Sequence, residues 1–439
     1  MAATDHLRPP VSQRWMLLAV ASLGLSALAA LALALARTPV LTALVGADTF
    51  PRALVVHVNL ATLIWYFSMA GALWTEHLPG SRAAAANVAF TVSCAGMLGV
   101  VATGFGAAGA PVLANYVPYL QSPVFLASLA CFAAGGLATA LLSLRRPRDA
   151  ADWGFALARV PFVMGAAYLL LELRNGGHLV DAVWGAGHVL QFGYVTLLMA
   201  IWLRLVERAG GRSLSTALAV TLFAAAALPS LLGPLLLLAG TPAAELHVFH
   251  TQLMRVANWP APLLFGLLLL RGGRRAVGAA GFAPSLALLI IGIAAGAAID
   301  AQTTLVPAHY HGTIGAFTLA LMAVALSRVS AAGNSPAVSR STRLPLVLYA
   351  FANTTLIAGL AWSGTLGAPR KTAFVTAGAD LAPTLAAALT GIGGVATVAA
   401  VGFFVIVAVP RIVRPCPTHP LQTPPPTTAT SAATFAAER

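Results

Sequence analysis

Charge is scarce in this chain. Of 439 residues only 8% are charged, 12 are acidic, and the sole lysine is Lys371. Cysteine is scarcer still: Cys94, Cys131 and Cys416 lie far apart, with no CxxC or CxxCH among them. That excludes covalent c-type haem attachment and a thiolate metal site, and Cys94 and Cys131 read as buried small apolar residues. No internal repeat is visible, which disfavours a secondary transporter built from pseudo-symmetric halves.

What fills the chain is hydrocarbon. Hydrophobic residues make up 59% of it, the mean hydropathy is +0.85, and apolar runs of about 20 residues recur from end to end. The expected fold is an all-α membrane protein with twelve transmembrane helices, over residues 14–36, 52–74, 85–106, 123–144, 153–172, 179–205, 214–239, 252–270, 277–298, 307–328, 343–364 and 387–409. The first run is too long and too well flanked for a cleaved signal. A cytoplasmic tail over 1–13, a transmembrane domain over 14–410 and a disordered cytoplasmic tail over 411–439, rich in Pro, Thr and Ala, complete the division.

The net charge of +13 does not imply a nucleic acid partner, because the arginines fall in alternate loops. Arg8 and Arg14 precede the first span, and Arg82, Arg145, Arg146, Arg148, Arg204, Arg208, Arg212, Arg271, Arg274, Arg275, Arg328, Arg340, Arg343, Arg411 and Arg414 follow even-numbered spans. This is the positive-inside pattern of a multi-pass protein in lipid, with both termini cytoplasmic. Odd-numbered loops are then external.

Six of the ten histidines fall at the external ends of spans: His57, His188, His247, His250, His309 and His311. An imidazole in hydrocarbon is costly and is normally paired or ligated, and neutral imidazole is a common ligand of transition metals and haem iron. Residues two apart on a helix point about 200° from each other, so His309 and His311 in PAHYHGTIGAFTLA serve two different partners. Among ionisable groups within spans, Arg159, Asp181, Glu207 and Arg255 stand out, and they define no proton path.

These motifs resemble subunit I of the haem-copper oxidase superfamily, near the cbb-type oxidases and nitric oxide reductases, over most of the chain. LVVHVNLATLIWYF is similar to that family's second helix and presents His57; PAHYHGTIGAFTLA is similar to its tenth, and VWGAGHVLQFGYV to its sixth, with His188. Gly367, Pro369, Arg370 and Lys371 resemble its G-x-P-R-R turn, with lysine in place of the second arginine. The resemblance implies a low-spin haem on His57 and His311, a high-spin haem on His309, and copper on His188, His250 and His247, with Arg370 and Lys371 gripping propionates. The catalytic residues would be His309, His188 and His250.

Three departures bear on the reaction. His247-Val-Phe-His250 replaces the family's adjacent histidine pair, Phe192 stands where many oxygen-reducing members have tyrosine, with Tyr194 two residues on, and Gln191 lies near the position of a nitric oxide reductase glutamate. The resemblance implies a respiratory terminal oxidase, cytochrome c oxidase-like, reducing O2 in a bacterial inner membrane. A periplasmic cytochrome c or cupredoxin, acting through a partner subunit, would donate the electrons. A nitric oxide reductase-like enzyme and a non-catalytic haem-binding membrane protein, either a sensor or an assembly factor, stand as the alternatives.

Overall fold

The computed structural model describes residues 10–46, 48–106, 109–327, 340–373 and 380–413. Eleven helices in it are long and apolar enough to cross a membrane, and a further apolar helix has 16 residues. In chain order they are α1 (Val11–Ala36), α2 (Thr49–Trp74), α3 (Gly80–Phe105), α4 (Pro123–Leu142), α5 (Ala150–Arg174) and α6 (Leu179–Arg208). There follow α7 (Thr216–Leu238), α8 (Ala243–Leu270), α9 (Phe282–Ala297), α10 (Leu305–Ser327), α11 (Thr342–Thr365) and α12 (Leu381–Val413). The molecule is a multi-pass membrane protein.

The expected ninth span is the one that comes out short. Gly281 takes φ +83 and its missing Cβ would lie 2.5 Å from Ala323, so the chain turns there and α9 cannot extend back toward residue 277. At 1.5 Å per residue its 16 residues reach about 24 Å, less than the ~30 Å hydrocarbon thickness. At the other end of the chain, α12 continues through Pro410 to Val413, so the tail expected from 411 begins within a helix. His6, Arg8, Arg328, Arg414, Cys416 and His419 lie outside the described residues. Cys131 is exposed and Cys94 only partly buried, against the expectation that both are buried; small thiols on helices facing outward need no packing partner.

Helix α2 is not regular throughout. Its stretch Asn59–Ile64 is π-helical, and Asn59 uses its amide to donate to Val55 O at 2.9 Å and to Pro118 O at 2.6 Å. Pro118 lies in a hairpin between α3 and α4, whose strands β1 (Pro111–Val112) and β2 (Tyr119–Leu120) pair antiparallel. The hairpin folds over the ends of α2 and α4 rather than standing in solvent.

Helix crossings are set by glycine, as expected where lipid removes any hydrophobic advantage to association. At the α3–α4 crossing a Cβ on Gly135 would lie 2.3 Å from Ala89 O, and one on Gly96 2.4 Å from Phe132 N. Where α9 meets α10, Gly312 approaches within 2.3 Å of the Gly292 Cα on the same construction. Buried Asp152 accepts from Arg145 at 2.8 Å, Arg148 at 2.9 Å and Arg204 at 3.2 Å. It ties the loop before α5 to the end of α6, and it is a carboxylate that sequence reasoning did not single out.

Because two of the three atoms nearest a Cβ on Gly135 are backbone, Ala89 O at 2.3 Å and Ser93 N at 2.8 Å, Gly135→Ala is expected to lower the thermal unfolding midpoint in detergent by several degrees, equivalent to about 1–3 kcal/mol. Gly402→Ala, with nothing within 4 Å, is expected to leave it within error. Equal midpoints for the two variants would contradict the crossing described.

Candidate cofactor site

Serine 26 on α1 determines how His57 is held. The Ser26 hydroxyl donates to His57 O at 3.2 Å, and His57 Nδ1 lies 2.9 Å from that hydroxyl oxygen and 3.3 Å from Ser26 O. With the hydroxyl proton committed to a carbonyl, Nδ1 is the ring donor, and Nε2 carries the lone pair. On α10, the backbone carbonyl of His311 accepts from Asn353 Nδ2 of α11 at 2.7 Å. His57 and His311 line one cavity of about 300 Å³, whose walls come from α1, α2, α6, α10, α11, α12 and the hairpin.

The cavity is largely apolar, and its charged lining is all of one sign. Arg37, Arg370 and Lys371 line it, and among the described residues no aspartate or glutamate does. Lys371 sits at φ +61 in the turn after α11. Its ammonium donates to Leu113 O and, at 2.8 Å, to Asn115 Oδ1. Burial, with a smaller contribution from Arg370, pulls the Lys371 ammonium down to about 8, and burial alone lowers Arg37 to about 10. Both shifts express removal of a cation from water. The lining suits an apolar ligand that carries acidic groups, and it places two imidazoles in the cavity wall.

Arg37 lines the cavity with Arg370 and Lys371 and is a residue that sequence reasoning did not single out. It ends the first apolar run, on the side expected to be external, where the positive-inside rule disfavours bases.

His309 stands on the other face of α10, as the two-residue spacing requires. Its Nδ1 meets Gly292 O of α9 at 2.8 Å, and a Cβ on Gly296 would lie 2.6 Å from that same nitrogen. A carbonyl can only accept, so Nδ1 carries the proton and Nε2 the lone pair. His309 does not line the cavity of His57 and His311.

The remaining histidines gather around Trp184. His188 donates from Nδ1 to Trp184 O at 2.9 Å, which leaves its Nε2 to accept from the Tyr116 hydroxyl at 3.1 Å. His250 is 1% exposed, neither ring nitrogen has a hydrogen-bond partner, and its ring centroid is 5.4 Å from that of His188. His247 and His250 sit in the first turns of α8, not in a segment before it. They part company there: His247 stacks on Trp184 at 4.1 Å, with Nδ1 on Ala243 O at 3.0 Å and Nε2 3.5 Å from Asp181. Among the described residues no group of three or more His, Cys, Asp or Glu side chains is arranged to hold a metal. Phe192 is fully buried, and Gln191 and Tyr194 line the large cavity.

Tyr116 had no signal in the sequence. It belongs to the hairpin, takes φ +68, lines the large cavity and reaches His188 over Gly187, where a Cβ would lie 2.3 Å from its own.

No family model matches the sequence. An uncharacterised protein of Aquifex aeolicus is 27% identical over 207 residues, covering 44% of this chain and 53% of that protein. One of Rickettsia prowazekii is 22% identical over 238 residues, covering 45% and 47%. The chain thus spans about half the length of the relatives it matches. Among solved structures, a haem-copper terminal oxidase dimer determined by cryo-EM superposes with a TM-score of 0.66 and 14% identity, over 93% of this chain and 85% of that one. The fold is therefore of the haem-copper terminal oxidase kind.

Proposed function

We propose that this chain is the catalytic subunit of a respiratory haem-copper oxidoreductase, cytochrome c oxidase-like, that reduces O2. The observation that supports the proposal is the cavity lined by both His57 and His311, whose charged side chains among the described residues are Arg37, Arg370 and Lys371. Haem, when bound there, supplies one-electron transfer. The residues would do the rest: His57 would offer Nε2 to iron, its Nδ1 being engaged by Ser26, His311 would provide a second imidazole, and Arg37, Arg370 and Lys371 would receive the propionates. Two imidazoles on one iron favour a low-spin haem.

His309 would hold the second, high-spin haem through Nε2, with its tautomer fixed by Gly292. His188 and His250 would hold copper beside it, with His247 the third histidine in sequence. Electrons would come from a periplasmic cytochrome c or cupredoxin through a partner subunit, and the membrane would be the bacterial inner membrane with both termini cytoplasmic. Nitric oxide is the alternative acceptor, since Phe192 and Gln191 match neither the tyrosine nor the glutamate of the two reactions. A second reading, a haem-binding protein without turnover, is favoured by the Tyr116 hydroxyl on His188 and by the engagement of both His247 nitrogens elsewhere.

Purified protein given reductant separates the readings. Sustained O2 or NO consumption is expected of the reductase, whereas haem and CO binding without consumption supports the second. His57→Ala and His311→Ala are each expected to remove the six-coordinate haem spectrum. His309→Ala should abolish CO binding and leave that spectrum; full CO binding by His309→Ala would overturn its assignment.

The Lys371 ammonium gives a pH signature. A propionate beside it raises its pKa from about 8, so haemin affinity is fully present below that value and falls as pH rises through it, by at most tenfold per pH unit. Lys371→Met should bind more weakly at pH 7 and lose that part of the pH dependence. An unchanged profile in the variant would remove Lys371 from the site.

A further inference from the structure

We infer that Tyr116 is a metal ligand, completing with His188 and His250 a site of two imidazoles and one phenolate for a divalent transition metal such as copper(II). The inference rests on the proposed function for His188 and His250 as metal ligands. It departs from it in assigning the third position to a residue of the hairpin rather than to His247.

Four observations lead there. The Tyr116 hydroxyl and His188 Nε2 are 3.1 Å apart. Two ligand atoms each about 2.0–2.1 Å from one metal are that far apart when they subtend an angle of about 100°. The rings of His188 and His250 have centroids 5.4 Å apart. Imidazoles ligating one ion place their centroids about 3.2 Å from it, so this spacing corresponds to an angle of about 115°. The two angles bracket tetrahedral geometry.

His250 is the third observation. It is buried in an apolar wall with neither nitrogen satisfied, a cost that a native structure normally avoids. Its ring lies over Gly233, where a Cβ would be 2.8 Å from Cε1 and 3.1 Å from Nε2, and no hydrogen bond of its own holds either nitrogen there. The fourth is backbone strain. A bulky residue at φ +68 is a genuine outlier, and such strain is kept where function requires the side chain to be aimed. Gly187 removes the one Cβ that would block the approach.

His247 is poorly disposed for the same role. Its nitrogens are engaged by Ala243 O and Asp181, and the indole of Trp184 contacts both its ring, at 4.1 Å, and that of His188, at 3.9 Å.

Binding involves no change of oxidation state. The hydrogen-bonded phenol proton leaves to solvent, the metal takes its place between oxygen and Nε2, and the phenolate charge offsets one of the two positive charges. The hairpin thereby joins the metal to the wall of the large cavity, since Tyr116 lines both.

The test titrates purified full-length protein with copper(II), following metal content, proton release and the visible absorption of a phenolate-to-copper(II) transition. Wild type and His247→Ala are expected to bind one copper per chain, release one proton and show the band. Tyr116→Phe should lose the band and bind copper at least tenfold more weakly, and His250→Ala should weaken binding as much. Tyr116→His, which restores a nitrogen ligand, should recover affinity without the band and guards against a folding defect in Tyr116→Phe. Retention of band and affinity by Tyr116→Phe overturns the inference, as does loss of copper in His247→Ala to the extent seen in His250→Ala, or no copper binding by wild type. Haem content is measured on the same samples, so absence of haem with the copper results intact would count against the haem proposal alone.

Discussion

A neutral imidazole has one nitrogen that donates and one that accepts, and inside a membrane bundle water is not there to satisfy either. The arrangement of this protein follows from how that demand is met. At His57, His188 and His309 the Nδ1 proton is spent on an oxygen within the chain: Ser26 for His57, Trp184 O for His188 and Gly292 O for His309. Each such contact fixes a ring plane and commits the opposite nitrogen to accept. Removing a backbone or hydroxyl partner would therefore disturb orientation before it disturbed packing.

The same shortage of polar partners shapes the basic edge of the cavity. Arg37, Arg370 and Lys371 come from segments far apart in sequence. Like charges are brought together with no carboxylate among the described residues of the lining, and burial weakens the ammonium. A site built this way is unfavourable by itself and favourable with an anion in it. Asp152 shows the contrast: there three arginines surround a carboxylate supplied by the chain, and the cluster is self-sufficient.

Much of this was legible in the sequence because the signals were local. Hydrophobic runs placed the helices, except where Gly281 cut the ninth short. The two-residue spacing of His309 and His311 required opposite faces, and α10 has them so. Lys371 is legible through its resemblance to a G-x-P-R-R turn, and Arg37 through the positive-inside rule applied to the end of the first apolar run. What escaped was long-range. A spacing of three puts His247 and His250 on one face of a helix, but whether they share a partner depends on Trp184 and Asp181 of α6, neither visible from α8 alone. Tyr116 sits in a hairpin whose strands are two residues each, too short for any periodicity, and its approach depends on Gly187 some seventy residues away.

The π-helical stretch of α2 couples these parts mechanically. Between Asn59 and Ile64 the chain carries more residues per turn than an α-helix would, and Tyr66 beyond it is anchored to Ile314 O at 2.8 Å and Thr318 at 3.0 Å on α10. Seen from that anchor, the widened turn is a phase shift. It lets one continuous rod present His57 to the cavity and Tyr66 to its neighbour at once, a pairing of azimuths that an uninterrupted helix of the same length, about 100° out of step for each residue removed, does not offer.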